Sequence, residues 1–447
     1  MTAGQTAARA LRATPEELPL VAAAAGYFFL LLCGYYVLRP VRDEMAIQSG
    51  LATLPSLMTA TFVSMLALSP GFSALAARLP RARLLAGVYC FFAANLVVFF
   101  CAFHYGWAPS WVARAFFVWL SVFNLFVVSV FWSLMTDLFS ERQAERLFPV
   151  ISAGGSVGAV CGPTLTGTLV GPLGVANLML LSAACLLACL GCIRFLSRRG
   201  DALLERSRAA AEADGAGDAA TAPHAERTRD APSAPLGGSA LGGIRMVLSS
   251  PYLLGISVYI LMLTWTSVAL YLEAAGVIAS QTSSPVERTR LFARIDVIVN
   301  LFTFACQMFV TSRVLERLGL AAGLLFLPLL SVAGFGWLAV APSLAAFVVF
   351  VAARRIAEYA VSRPAREALF TILDREAKYK AKNFIDTALT RGGEAASGWT
   401  VNAARALGAG AAQLAVVAVP VALVWSAVSL YLARRCAAPA ASAASRP

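Results

Sequence analysis

Charge is scarce in this 447-residue chain: Asp, Glu, Lys and Arg make up 13% of it, against roughly 25% in a soluble domain. Lysine is almost missing, since three of the 36 basic residues are Lys, all within Lys378–Lys382, and the other 33 are Arg. No Gly-x-x-x-x-Gly-Lys-Ser/Thr occurs, which excludes a phosphate loop and a built-in ATPase. No His-Glu-x-x-His or paired-Asp motif points to intramembrane proteolysis or prenyl transfer. Histidine occurs twice; His104 falls at a helix end and His224 in a polar stretch, and neither is expected to be catalytic. Cys185, Cys189 and Cys192 share an apolar run without His or carboxylate, so they are expected to pack rather than to hold metal. A secretory signal is not expected, because the first apolar run follows a polar lead and is too long for a signal core. What is abundant is hydrophobic side chain, 59% of residues. A soluble enzyme of this size would leave far too much of it on its surface. The composition predicts a polytopic membrane protein, not an enzyme, with no cofactor.

Apolar runs of membrane-spanning length, about 20 residues each, are read at 20–39, 51–69, 84–103, 111–137, 147–171 and 174–196. Residues 200–243 interrupt them with a stretch rich in Ala, Gly, Pro, Arg and Asp, a solvated linker. Six more runs follow at 251–273, 291–311, 320–341, 343–367, 383–410 and 413–433. The expected division is therefore 1–199, linker 200–250 and 251–447. Short charged turns recur at matching places in the two halves: Ala77–Arg83 with Ser312–Leu318, and Ser140–Arg146 with Asp374–Lys382. An all-α membrane protein of twelve helices in two parallel six-helix repeats resembles the major-facilitator transporters.

The formal surplus of +12 charges bears on orientation. With both termini in the cytoplasm, cytoplasmic segments carry 24 of the 36 basic residues, outer ends four and helix interiors eight. The positive-inside rule selects that topology. The interior charges are the informative ones, because an ionisable residue at mid-membrane costs at least about 2.5 kcal/mol and so faces a partner or a wet cavity. Helix ten is densest, with Arg354, Arg355, Glu358, Arg363, Arg366 and Glu367. Arg355, Glu358, Ser362 and Arg366 are spaced to share one face, and Arg363 and Glu367 are i,i+4 partners. Helix eight adds Arg294 and Asp296; helix eleven adds Asp386, Arg391, Glu394 and Arg405. Two readings compete: ion pairs that lock the bundle, or an anion-binding cavity lined by arginine forks.

Helix one ends Tyr35-Tyr36-Val37-Leu38-Arg39-Pro40-Val41-Arg42-Asp43-Glu44. It is either an interfacial belt or a helix that runs on past Pro40, bringing Arg39, Arg42 and Asp43 to one face with tyrosine beside them. In helix five, Gly154, Gly158 and Gly162 repeat every four residues, a groove for close approach of another helix.

Three segments carry a closer resemblance: Tyr36–Glu44, Val130-Phe-Trp-Ser133, and Lys378–Thr387 with Arg391-Gly-Gly393. They resemble the major-facilitator-type ATP/ADP translocases of plastids and intracellular bacteria, over nearly the whole chain apart from linker and tails. The resemblance implies exchange of nucleoside tri- and diphosphates across a bacterial inner membrane. Arg42, three after Arg39, matches a cationic pair of that family; Lys380, Lys382 and Arg391 match cations around helix eleven. The family's acidic residues in helices four and seven have no counterpart, since Asn124 is the strongly polar residue of Leu120–Trp132 and Ile260–Trp265 has no acid.

The expected function is a secondary transporter of a phosphorylated or otherwise anionic solute, most simply nucleotide exchange. Arg39, Arg42, Arg355, Arg363, Arg366, Lys382 and Arg391 would line the site. Tyr36, Trp132 or Tyr359 would stack on a base, and Asp386 and Glu358 would pair with the cations in the empty carrier. The alternative is a proton-coupled transporter of another organic solute, using Asp296, Glu358 or Asp386. A monomer in the bilayer is expected, with no nucleic-acid partner.

Overall fold

The computed structural model of the chain describes residues 14, 17–78, 81–213, 246–371, 373, 381–382 and 384–444. Lys378, Lys380 and most of the linker lie outside the described residues. Among the described residues twelve helices form the fold, and no strand occurs. They are α1 (Leu18–Gln48), α2 (Leu54–Arg78, entered through a short 3-10 turn), α3 (Arg81–His104) and α4 (Pro109–Leu138). The run Glu141–Ala213 is broken at Gly174 into α5 and α6. Then come α7 (Pro251–Gln281), α8 (Pro285–Phe309), α9 (Thr311–Val340) and α10 (Leu344–Ala357, extended to Ala368). The last two are α11 (Ile385–Ala406) and α12 (Ala411–Ala444).

Local chemistry sets the boundaries. Ser250, Ser284 and Ser343 cap α7, α8 and α10, each hydroxyl accepting a backbone N–H of the first turn. Pro251 and Pro285 follow two of these caps, where a missing N–H costs nothing. Gly174 at φ 77° and Gly319 at φ 77° break their runs in the left-handed region that favours glycine. The first helix runs on through Pro40 to Gln48, so Tyr36–Glu44 lies within it. Helix eleven ends at Ala406, short of the expected 410.

Among the described residues nine stretches are long and apolar enough to cross a membrane, one of which, Arg142–Arg199, holds both α5 and α6. α10 and α11 fall short of that length, their uninterrupted α-helical parts being 14 and 17 residues.

The described residues group into two compact units: one of residues up to Arg42, 68–112 and 119–237, the other of 43–67, 113–118 and 238 onward. In the first, α5 lies against α1 through its glycines. A methyl group on Gly154, Gly158 or Gly162 would sit 2.4, 2.4 and 2.6 Å from the carbonyl oxygens of Ala25, Phe29 and Cys33. One ladder of every-fourth residues therefore meets another. Thr166 continues the register, its hydroxyl donating to Val37 O at 2.8 Å. The glycine repeat is packing, as its spacing predicts. In the second unit a buried cluster around Tyr259, Leu324, Phe370 and Trp425 joins α7, α9, α10 and α12.

Candidate functional site

In the first unit the Arg39 guanidinium lies 5.5 Å over the Tyr36 ring, and Tyr35 meets Tyr36 edge-on. Arg42, half-buried, follows one turn on. Asn124 is half-buried in the middle of α4. Trp132 belongs to an aromatic group, its ring 5.5 Å from Phe28 and 5.3 Å from Phe148.

In the second unit α10 changes its winding over Glu358–Ser362, one turn of π-helix. Pro364 stands just beyond it. It has no N–H for the carbonyl of Ala360, four residues back. The Arg363 N–H reaches back to Glu358 O instead. The freed carbonyls find side chains: Gln307 Nε2 donates to Tyr359 O at 3.2 Å and the Thr311 hydroxyl to Ala360 O at 2.7 Å. Such turns recur at functional sites. A second one, Ile385–Leu389, opens α11.

The wider turn divides the face expected from Arg355, Glu358, Ser362 and Arg366. Arg355 turns to α8, its Nη1 2.8 Å from Asp296 Oδ1. Ser362 instead meets α7, its hydroxyl 2.8 Å from the buried Tyr259 hydroxyl. Arg354 turns to α7 as well. It is 2% exposed and donates to Ser267 Oγ at 2.6 Å, Thr266 Oγ1 at 2.9 Å and Leu263 O at 3.1 Å. Glu358 stands 3.6 Å from it. Arg354 is thus the clamp between α10 and α7, a role its spacing in the sequence did not disclose.

The expected Arg363–Glu367 pair is replaced. Lys382, three residues before α11, reaches past the Phe370 ring to hold Glu367 at 2.5 Å. Arg391 pairs with Glu394 within α11 at 3.0 Å. Asp386 lies within electrostatic reach of Arg366, Lys382 and Arg363. No carboxylate among the described residues stands within ion-pair distance of Arg363 or Arg366. Arg355 leaves its buried Nε and Nη2 hydrogens without an acceptor. The arrangement therefore has donors to spare for an anion, and Tyr359 at the π-turn stands half-buried beside them.

A second feature was not expected. The end of the second unit that carries Asp43–Ala67 is closed by polar locks. Glu44, fully buried, accepts two hydrogen bonds from Arg288 of α8, at 2.6 and 2.9 Å. Glu273 of α7 takes Nε and Nη2 of Arg405 of α11 at 2.9 and 2.7 Å. Tyr271 donates to Asp43 at 3.3 Å, and Trp399 to Thr59 at 3.1 Å. Between them Ala46, Leu54 and Leu57 are buried with Val268, Leu272 and Val401. A methyl group at Gly398 would lie 3.2 Å from Pro55 and Met58, so α2 and α11 touch closely.

Twelve helices, two π-turns on charged helices and one locked end invite comparison with known proteins. No family model matches the chain, and no curated protein matches its sequence. Solved structures do. A bacterial homologue of the iron transporter ferroportin in an inward-facing state superposes with a TM-score of 0.63 at 13% identity, over 93% of this chain and 99% of that one. A bacterial homologue of the human lysosomal transporter Spinster, inward-facing and unoccupied, gives 0.57 at 14%, over 94% and 98%. The nucleoside transporter NupG gives 0.59 at 11%, over 94% and 99%. The fold is that of the major-facilitator transporters. The chain is an integral, multi-pass membrane protein of that architecture.

Proposed function

We propose that the protein is a secondary transporter of a small phosphorylated anion, most simply a nucleotide exchanger. The observation that carries this reading is the surplus of hydrogen-bond donors on α10. Arg363 and Arg366 have no ion-pair partner among the described residues, and two N–H groups of Arg355 are buried without an acceptor. Leaving the two buried Arg355 groups unsatisfied costs roughly 1–3 kcal/mol each; an anionic solute would satisfy them and pair with Arg363 and Arg366, in the bidentate manner arginine favours. Lys382, Asp386, Glu358 and Arg391 complete this set, with Asp386 and Glu358 holding the cations in the empty carrier. On α1, Tyr36, Arg39 and Arg42 offer an aromatic–cation pair suited to a base and its phosphates; Asn124, Trp132 and Tyr359 are the remaining candidate contacts. In this reading residues 1–199 and 251–447 rock in alternating access. Asp43–Ala67 lies at the outer face, the termini are cytoplasmic, and the locked end is the closed outer gate.

Ligand-dependent melting of the purified protein tests the reading. A ligand at 100 times its dissociation constant adds about 2.7 kcal/mol. ATP and ADP are expected to raise the melting temperature, with uncharged adenosine leaving it unchanged. The shift is expected to vanish in Arg363→Gln/Arg366→Gln. Equal shifts with all three ligands, or none, refute it.

The buried pair of Asp296 with Arg355 favours a second reading, proton coupling, in which Asp296 alternates between Arg355 and a proton. Uptake driven by a pH gradient and indifferent to internal nucleotide would establish it instead.

A further inference from the structure

The strongest feature outside that site is on α6. Leu180, Ala184, Leu187, Gly191, Arg194 and Arg198 are all exposed. Their alternating spacing of four and three residues puts them on one face of the helix. The upper part of this stripe is apolar and the lower part is basic. Leu180 to Gly191 rises by about 16 Å at 1.5 Å per residue, close to one hydrocarbon leaflet, about half of the ~30 Å bilayer core. Below it a cavity of about 430 Å³ is lined by Gly191, Arg194, Phe195, Arg198 and Arg199. Gly191 leaves the notch, since nothing lies within 4 Å of where its Cβ would be. Arg194, Arg198 and Arg199 have no carboxylate at ion-pair distance among the described residues.

We propose that this stripe is a binding site for an anionic glycerophospholipid. One acyl chain lies along Leu180, Ala184 and Leu187, the glycerol region occupies the notch at Gly191 beside the Phe195 ring, and the phosphate is held by Arg194, Arg198 and Arg199. The charge complementarity calls for an anion. The apolar stripe of one leaflet's depth, continuous with the cavity, selects a lipid over a soluble phosphate. Three guanidiniums in one headgroup-sized cavity select an anionic headgroup over a zwitterionic one, whose choline would meet three like charges.

Native mass spectrometry of the full chain in neutral detergent tests this, with phosphatidylglycerol, phosphatidylcholine and inorganic phosphate as separate probes. Phosphatidylglycerol is expected to remain bound at energies that strip phosphatidylcholine, and millimolar inorganic phosphate is expected not to displace it. Arg194→Gln/Arg198→Gln/Arg199→Gln is expected to lose at least fivefold in retained phosphatidylglycerol. Gly191→Leu fills the notch and keeps every charge, and its Cβ meets no neighbouring atom; it is expected to lose retention as well while melting like the parent. Equal retention of the two lipids overturns the proposal. So does displacement by inorganic phosphate, or retention by Gly191→Leu at the parent level.

Discussion

Glu44→Gln should open the locked end. Glu44 is fully buried and Arg288 is 13% exposed, so the substitution leaves a largely buried guanidinium facing a neutral amide. Removing one partner of a buried pair costs roughly 3–5 kcal/mol. The lower figure applies here, because glutamine keeps one acceptor for Arg288. That cost falls on the closed conformer, since Arg288 regains water when the end opens. About 3 kcal/mol shifts a two-state equilibrium by roughly 150-fold. A cysteine at Leu51, which packs against the apolar cluster of the lock, reports the opening through its labelling by a membrane-impermeant maleimide. The same protein without that cysteine supplies the background from the native thiols. Labelling in Glu44→Gln should rise by about two orders of magnitude. Adding Arg288→Met should return at least half of that change, because the stranded charge is then gone. A labelling rate within twofold of the parent, in a protein that still melts cooperatively, would refute the idea that this pair holds the end shut.

Three other expectations follow from the packing and the charges. Gly158→Leu should abolish folding or cost several kcal/mol in detergent melts, since its Cβ would meet Phe29 O at 2.4 Å; Gly87→Ala, which meets nothing, should be neutral or slightly stabilising. At Glu17, burial pushes the carboxyl up, but Arg146, the Thr14 N–H and Gln143 outweigh it and hold the group down at about 2. Its stabilisation is therefore complete above the ordinary carboxylate range and is lost as pH falls through about 2. Glu17→Ala should cost about 1–3 kcal/mol at pH 7, and the difference from the parent should shrink when melts are repeated below pH 4. Arg354→Gln should melt lower, because three acceptors on α7 lose their donor, whereas Arg366→Gln should melt like the parent and lose ligand response.

What could be read in the sequence was what depends on neighbours in the chain. The apolar runs and the glycine repeat of α5 are local, and each fixes an element or a packing face. The helix count followed, and so did the concentration of charge on α10 and α11. The closed end could not be read, because Glu44 and Arg288 stand 244 residues apart, and Glu273 and Arg405 132 apart, with no periodicity linking them. Helical spacing also misassigned α10. It put Ser362 and Arg366 on one face with Arg355 and Glu358, because it assumed 3.6 residues per turn across Glu358–Ser362, where the helix widens. Arg363 and Glu367 keep their i,i+4 spacing, but Lys382 takes Glu367.

The central claim is that this fold carries a phosphorylated anion by exchange. Reconstituted protein in liposomes preloaded with ADP is given radiolabelled ATP outside, beside Arg363→Gln/Arg366→Gln in the same lipid. The account predicts saturable uptake that requires internal ADP and falls at least tenfold in the variant. Uptake no greater than in protein-free liposomes, or uptake equal in the parent and the arginine variant, would contradict it.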